Sequence, residues 1–311
     1  MARVKTVHFL MAGAAMLALS GCLGAPAPTP APPAPVVAPA PLPPTPNSVA
    51  AAAYYAQIQQ VLLREGMLRT DPGSDIPIRA ERLTENFLKI ALFQEFSRGR
   101  GGITREETAS PLTRWRDPVR VAVRFGRSVS AEKQATDRAR IASYLARLSQ
   151  VTGHPIGLTD VAPNFWVYIV SEDEREALGP ELASLRIGIA PDVIQAVTRM
   201  SPTTYCNVFA ISGAESHLHR HAVAVIRAEN PDLLRLSCFH EEIAQGLGLP
   251  NDSPRARPSI FNDDEEFALL TDQDELMLRI LYSPELRPGM TAAEARPIVE
   301  SLARRLVGGE S

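Results

Sequence analysis

Apolar positions along this chain switch between helical and strand spacing, and from residue 49 onward they lay out a mixed α and β domain. Residues 54–67 read as a helix. Leu83, Phe87, Ile90 and Ala91 share one helical stripe, so a second helix is expected over residues 80–96, broken by the glycines at 99–102. Residues 119–125 alternate valine with smaller or charged residues and read as a strand. A long helix is expected over residues 131–151, with Ile141, Leu145 and Leu148 on one stripe and Gly153 ending it. Residues 165–170 are β-rich, and two shorter helices are expected at 173–183 and 191–200. Strands at 205–211 and 222–226 flank a polar turn containing Gly213, which fits a hairpin. A helix at 233–247 follows, with Ser237 as an alternative start. Helices at 271–281 and 292–306 close the chain, the first capped by Thr271 ahead of an acidic turn. There is no internal repeat.

Before residue 49 the pattern changes. Arg3 and Lys5 precede an uncharged stretch, residues 7–18, too short to span a bilayer as a helix. It runs into Leu19-Ser20-Gly21-Cys22, which resembles the bacterial lipobox. That resemblance implies export, cleavage before Cys22, and lipidation of its thiol, with Leu23 implying delivery to the outer membrane. The expectation is a lipoprotein that faces the periplasm and meets the membrane through its lipid anchor, since several acyl chains hold a protein stably there. Residues 25–47 hold eleven of the chain's 27 prolines, interleaved mainly with alanine. Such a run forms neither helix nor sheet, so residues 25–47 are expected to be an extended polyproline II spacer reaching roughly 70 Å, within a tether that spans residues 22–48.

Composition adds little beyond this. With 45% hydrophobic and 22% charged residues, the chain has enough apolar material for a core, and a net charge of -3 gives no reason to expect nucleic acid as a partner. Cysteine usage says more. With Cys22 taken by lipid, Cys206 and Cys238 remain, and an even remainder in an oxidising compartment favours a disulfide over two buried thiols.

The candidate chemistry lies in residues 241–252, Glu-Glu-Ile-Ala-Gln-Gly-Leu-Gly-Leu-Pro-Asn-Asp. This stretch resembles the metzincin pattern H-E-x-x-H-x-x-G-x-x-H with all three histidines replaced. Glu241, Gln245 and Asn251 stand at the zinc-ligand positions, Glu242 at the general base and Gly248 at the turn glycine. Ser259-Ile260-Phe261-Asn262 resembles the methionine turn, with Phe261 in place of the methionine. The segment from Leu270 to Tyr282 looks like the last helix of matrixin-like domains. The resemblance implies an α+β, zincin-like fold: a twisted mixed sheet, a long helix packed on it, and a site helix after a β-hairpin.

Phe239-His240-Glu241-Glu242, Gln245 to Leu249, Asn251-Asp252, Ser259 to Asp263 and Pro288-Gly289-Met290 also resemble an uncharacterised proteobacterial lipoprotein family, domain of unknown function 2927. That resemblance implies no activity.

Read as chemistry, the helix places Glu241 and Gln245 on one face beside Glu242, opposite the stripe of Phe239, Ile243 and Leu247. One carboxylate and two neutral amides make a poor zinc set, and without zinc nothing activates water for Glu242. No cofactor and no metal are therefore expected. His217, His219 and His221 alternate beside Glu215 and form a weak alternative metal site. His240 has no partner four residues on, since that position is Ala244. Three readings follow. The first is a non-catalytic, peptidase-like module binding a periplasmic peptide, protein or cell-wall ligand, with Glu241, Glu242, Gln245, Asn251 and Asp252 as cleft candidates. The others are an envelope hydrolase using Glu241 and Glu242, and a structural lipoprotein without a ligand.

Overall fold

The computed structural model describes residues 40–99, 102–262 and 264–308. The lipobox, Cys22 and most of the proline-rich stretch lie outside them. The first helix, α1 (Pro46–Arg64), starts inside the expected tether. Thr45 caps it by accepting from Ser48 N at 3.1 Å, and Pro46 occupies the first turn, where a missing amide costs nothing. This end is tied down: Leu42 N donates to Arg127 O at 2.9 Å, and Asn47 Nδ2 to Asp173 Oδ1 at 3.1 Å.

The next helix, α2 (Ala80–Ala91), buries Leu83, Phe87, Ile90 and Ala91, as their spacing predicts. It stops short of residue 96. Phe93 instead opens β1 (Phe93–Gly99), paired antiparallel with β2 (Gly102–Ala109). A short apolar run fits either structure, and the pairing partner downstream decides it.

Then come β3 (Val119–Phe125), α3 (Ala131–Thr152), β4 (Ile156–Leu158) and β5 (Phe165–Val170). Ser130 caps α3, and Gly153 ends it with a φ of 65°. The helix expected over 173–183 is two, α4 (Glu172–Glu176) and α5 (Gly179–Ser184), because Pro180 lacks the amide to continue the first and instead starts the second. After α6 (Pro191–Thr198) the hairpin strands are β6 (Cys206–Ser212) and β7 (His219–Arg227), the latter starting three positions earlier than its valine run suggests. The chain closes with α7 (Asp232–Gly246), α8 (Asp272–Leu281) and α9 (Ala292–Val307).

Five strands form one mixed sheet in the order β4-β3-β5-β7-β6. All neighbours are parallel except β6, which runs antiparallel to β7 at the edge. Every residue of β5 is buried, because its two faces feed different cores. Phe165, Val167 and Ile169 pack with residues of α2, α3, α7, α8 and α9. Trp166, Tyr168 and Val170 pack with Leu178, Leu182 and Val197 from the α5–α6 side. The result is three layers, with the large helices on one face and α5 and α6 on the other. The α+β class, the mixed sheet and a helix directly after the hairpin agree with expectation. Among the described residues no helix is long and apolar enough to cross a membrane.

Candidate functional site

The helix α7 is held on the sheet by its apolar stripe: Phe239, Ile243 and Leu247 are fully buried. Gly246 allows that approach, since a Cβ there would stand 2.6 Å from the Phe165 ring, and its carbonyl accepts from Trp115 Nε1 at 2.8 Å. Cys238 and Cys206 form a disulfide, with Cα atoms 5.9 Å apart, which ties α7 to the first residue of β6. His240 stacks on Tyr144 at 4.0 Å, and its Nδ1 accepts from Leu270 N at 3.1 Å. Burial, helped by nearby Arg147, lowers its pKa to about 3, so it is a neutral wedge between α7, α3 and the approach to α8.

Of the cleft candidates, Glu241 is half-buried and Glu242 is 4% exposed. One carboxylate oxygen of each lies within 4.8 Å of the other and of Cys206 Sγ. Gln245 turns elsewhere and donates from Nε2 to Asp252 Oδ1 at 2.9 Å. The chain returns to make that bond through Gly248, whose φ is +125° and whose Cβ, if present, would meet Thr113 O at 2.3 Å. Asn251 is buried against the end of α2, with Nδ2 donating to Lys89 O at 3.0 Å and its own amide to Ile90 O at 3.2 Å. Both side-chain amides are thus engaged within the domain. Downstream, Phe261 is a core residue and Ser259 Oγ donates to Asp274 Oδ1 at 2.6 Å. Asp274 also accepts from Ile260 N and Thr271 N, each at 2.9 Å, and burial raises its pKa to about 6.

The three alternating histidines do not gather. His217 has a φ of 53° and lies beside Gly289, His219 lies 5.7 Å from the Trp115 ring, and His221 lies 5.8 Å from the Trp166 ring. These tryptophans belong to different faces of the sheet, and the bulge between Ile211 and Ser212 disrupts the simple alternation. Burial lowers the pKa of His219 to about 4, and Ser212 Oγ sits 2.8 Å from its Nδ1.

One open concavity among the described residues lies beside these groups. A cavity of about 490 Å³ runs along β6, lined by its residues 208–212 consecutively. Because successive side chains of a strand alternate between faces, five consecutive lining residues mean that the cavity follows the strand's edge. Its other walls are Ser110, Pro111, Thr113 and residues 188–190, with Leu182, Val193 and Val197 at the base. Ser212 and His219 supply a polar end. Pro250 reaches this cavity, whereas Glu241, Glu242, Gln245, Asn251 and Asp252 do not line it.

A family model described as a protein of unknown function (DUF2927) matches residues 80–301, more than half of the chain. The chain belongs to the DUF2927 family. The match runs from the first residue of α2 into α9, so both β6 and the α7 segment fall within the DUF2927 domain. No curated protein and no solved structure matches the chain.

Sequence reasoning found the α7 residues of this DUF2927 protein through a motif, but missed the β6 cavity. Its lining is mostly apolar and comes from distant segments, and only the edge position of β6 brings them together.

Proposed function

We propose that this chain is a lipid-anchored envelope protein whose domain binds an extended peptide along β6 without cleaving it. The observation that carries the reading is the cavity along an edge strand. An edge strand offers backbone N–H and C=O groups to an added strand, and flanking pockets then select side chains at alternate positions. A volume of about 490 Å³ falls within the range of ligand clefts, and the apolar base favours aliphatic or aromatic side chains. The bonds of Gln245 to Asp252 and of Asn251 to Lys89 support a domain without catalytic zinc. A metzincin-like ancestry is supported by the order of the elements: the long α3 after the first sheet strand, the β6–β7 hairpin, then α7 and the reversal at Gly248. The lipobox supports lipidation at Cys22 and an outer-membrane, periplasm-facing location, and intact mass of wild type and Cys22→Ala tests that arm.

For the binding arm, detergent-solubilised protein is titrated with a peptide library carrying apolar side chains at alternate positions. Wild type should bind a subset, and Ala210→Trp, which fills the groove from an exposed position on β6, should weaken binding at least about tenfold. Equal binding by both proteins, or none by wild type, would sink the proposal. The envelope hydrolase is the second reading, favoured by the closeness of the Glu241 and Glu242 carboxylates. Cleavage of the bound peptides, lost in Glu242→Gln, would replace the first reading with it.

A further inference from the structure

The disulfide of this domain lies directly against two carboxylates. Cys206 Sγ and an oxygen from each of Glu241 and Glu242 lie within 4.8 Å of one another. Cys238, the other sulfur, precedes Glu241 and Glu242 by three and four residues on α7, the spacing that puts side chains next to each other on a helix. Cys206 approaches from β6. Cys206 Sγ and two carboxylates therefore meet at one spot, with Cys238 Sγ joined to it through the disulfide; Cys206, Cys238 and Glu242 are buried and Glu241 is half-buried.

We propose that reducing Cys206–Cys238 turns this cluster into a divalent-metal site of two thiolates and two carboxylates. In the oxidised state the sulfurs carry no charge, and thiolate, not disulfide, is the metal-binding form. Exchange with a dithiol reductant delivers two electrons and two protons to the sulfurs and leaves the reductant as its own disulfide. Metal binding then releases both thiol protons to solvent. The donor set suits a tetrahedral ion, with sulfur at about 2.3 Å and carboxylate oxygen at roughly 2.0–2.2 Å. With the Cα atoms 5.9 Å apart, side-chain rotation of Cys238 after reduction would turn its freed sulfur toward the ion held by Cys206 and the carboxylates. Sulfur donors favour zinc over magnesium or calcium, which take oxygen ligands. The ion would join β6 to α7 where the disulfide does, so the sheet edge keeps its tie in both redox states. Of the zinc-ligand positions in the metzincin pattern only Glu241 is a ligand here, and nothing in the site depends on the peptide reading.

The test titrates Co²⁺, and then Zn²⁺ in competition, into the full chain before and after reduction, the dithiol being removed anaerobically. Reduced protein should bind one equivalent of Co²⁺ with thiolate-to-metal charge-transfer absorption, and zinc should displace it. Oxidised protein should lack that absorption and bind at least about 100-fold more weakly. Combining Glu241→Gln with Glu242→Gln should lower the affinity of the reduced protein about 10- to 100-fold, with an unchanged circular dichroism spectrum. Equal affinity in both redox states would overturn the proposal. Full affinity in the double-glutamine variant would assign the metal to the dithiol alone and overturn it as well. So would unfolding on reduction, since no site would then exist.

Discussion

The segment from the end of α7 to the start of α8 and the edge at β6 are close neighbours with opposite designs. In the segment, polar groups are turned inward: Gln245 on Asp252, Asn251 on the end of α2, and Asp274 on Ser259, Ile260 and Thr271. At β6, five consecutive residues face a cavity. The segment carries the motif and the edge carries the opening. The difference teaches that polar residues of a motif can be engaged as internal bonds while the groove beside them stays open. Binding geometry and reaction chemistry are separable properties of one fold.

Gly248 tests this contrast most severely. Its φ of +125° and the Thr113 carbonyl 2.3 Å from a would-be Cβ leave no room for a side chain, and the obstacle is backbone. Gly248→Val should cost about 4 kcal/mol or more, read by urea denaturation. A loss under 1 kcal/mol would show that the reversal is not locked. Next in size, Cys206→Ser with Cys238→Ser opens a cross-link spanning 32 residues and should cost about 3–4 kcal/mol. A much smaller loss would make the tie between α7 and the edge dispensable.

The third effect is one of pH. His240 and His219 have folded pKa values of about 3 and about 4, below the usual value near 6.5 because burial disfavours their charged forms. The unfolded chain therefore binds protons that the folded chain refuses. The stability that neutral histidines allow is complete above pH 6.5 and is lost as pH falls toward 3–4. Asp274, raised to about 6 by burial, acts in the opposite sense and gains stability as pH falls from about 6 toward 4. His154 and His221 are lowered by burial in the same way, and Asp137 and Glu229 are raised like Asp274, so four histidines stand against three acids and stability should fall between pH 6 and pH 4. His240→Asn should reduce that slope by roughly 1.4 kcal/mol per pH unit, apart from a pH-independent loss of the Tyr144 contact. An unchanged slope in denaturant melts at several pH values would show that His240 is not the buried neutral group described. Smallest of all, Ala210→Trp at the exposed edge should move stability by no more than about 0.5 kcal/mol while removing peptide binding. A large destabilisation would mean that the edge is packed, not open.

Helical and strand periodicity set most elements in advance because burial on one side imposes a spacing on the chain: α3, β3, β5 and α7 fall within a few residues of their expected bounds. The stripe of Phe239, Ile243 and Leu247 was legible for the same reason, whereas Gly248 was picked out only by the resemblance to the metzincin pattern. Cysteine parity pointed to the disulfide, although the meeting of β6 with α7 is what permits it. Where local signals conflicted, nonlocal pairing prevailed. Phe93 joined a strand because β2 was there to pair with it, and Pro46 began a helix because Thr45 caps it and Asn47 finds Asp173. The faces of the three histidines, the inward turn of Asn251 and the groove along β6 could not be read from spacing at all. Each depends on which segments lie beside the sheet, and that choice is made by packing between residues far apart in the chain, where periodicity carries no information.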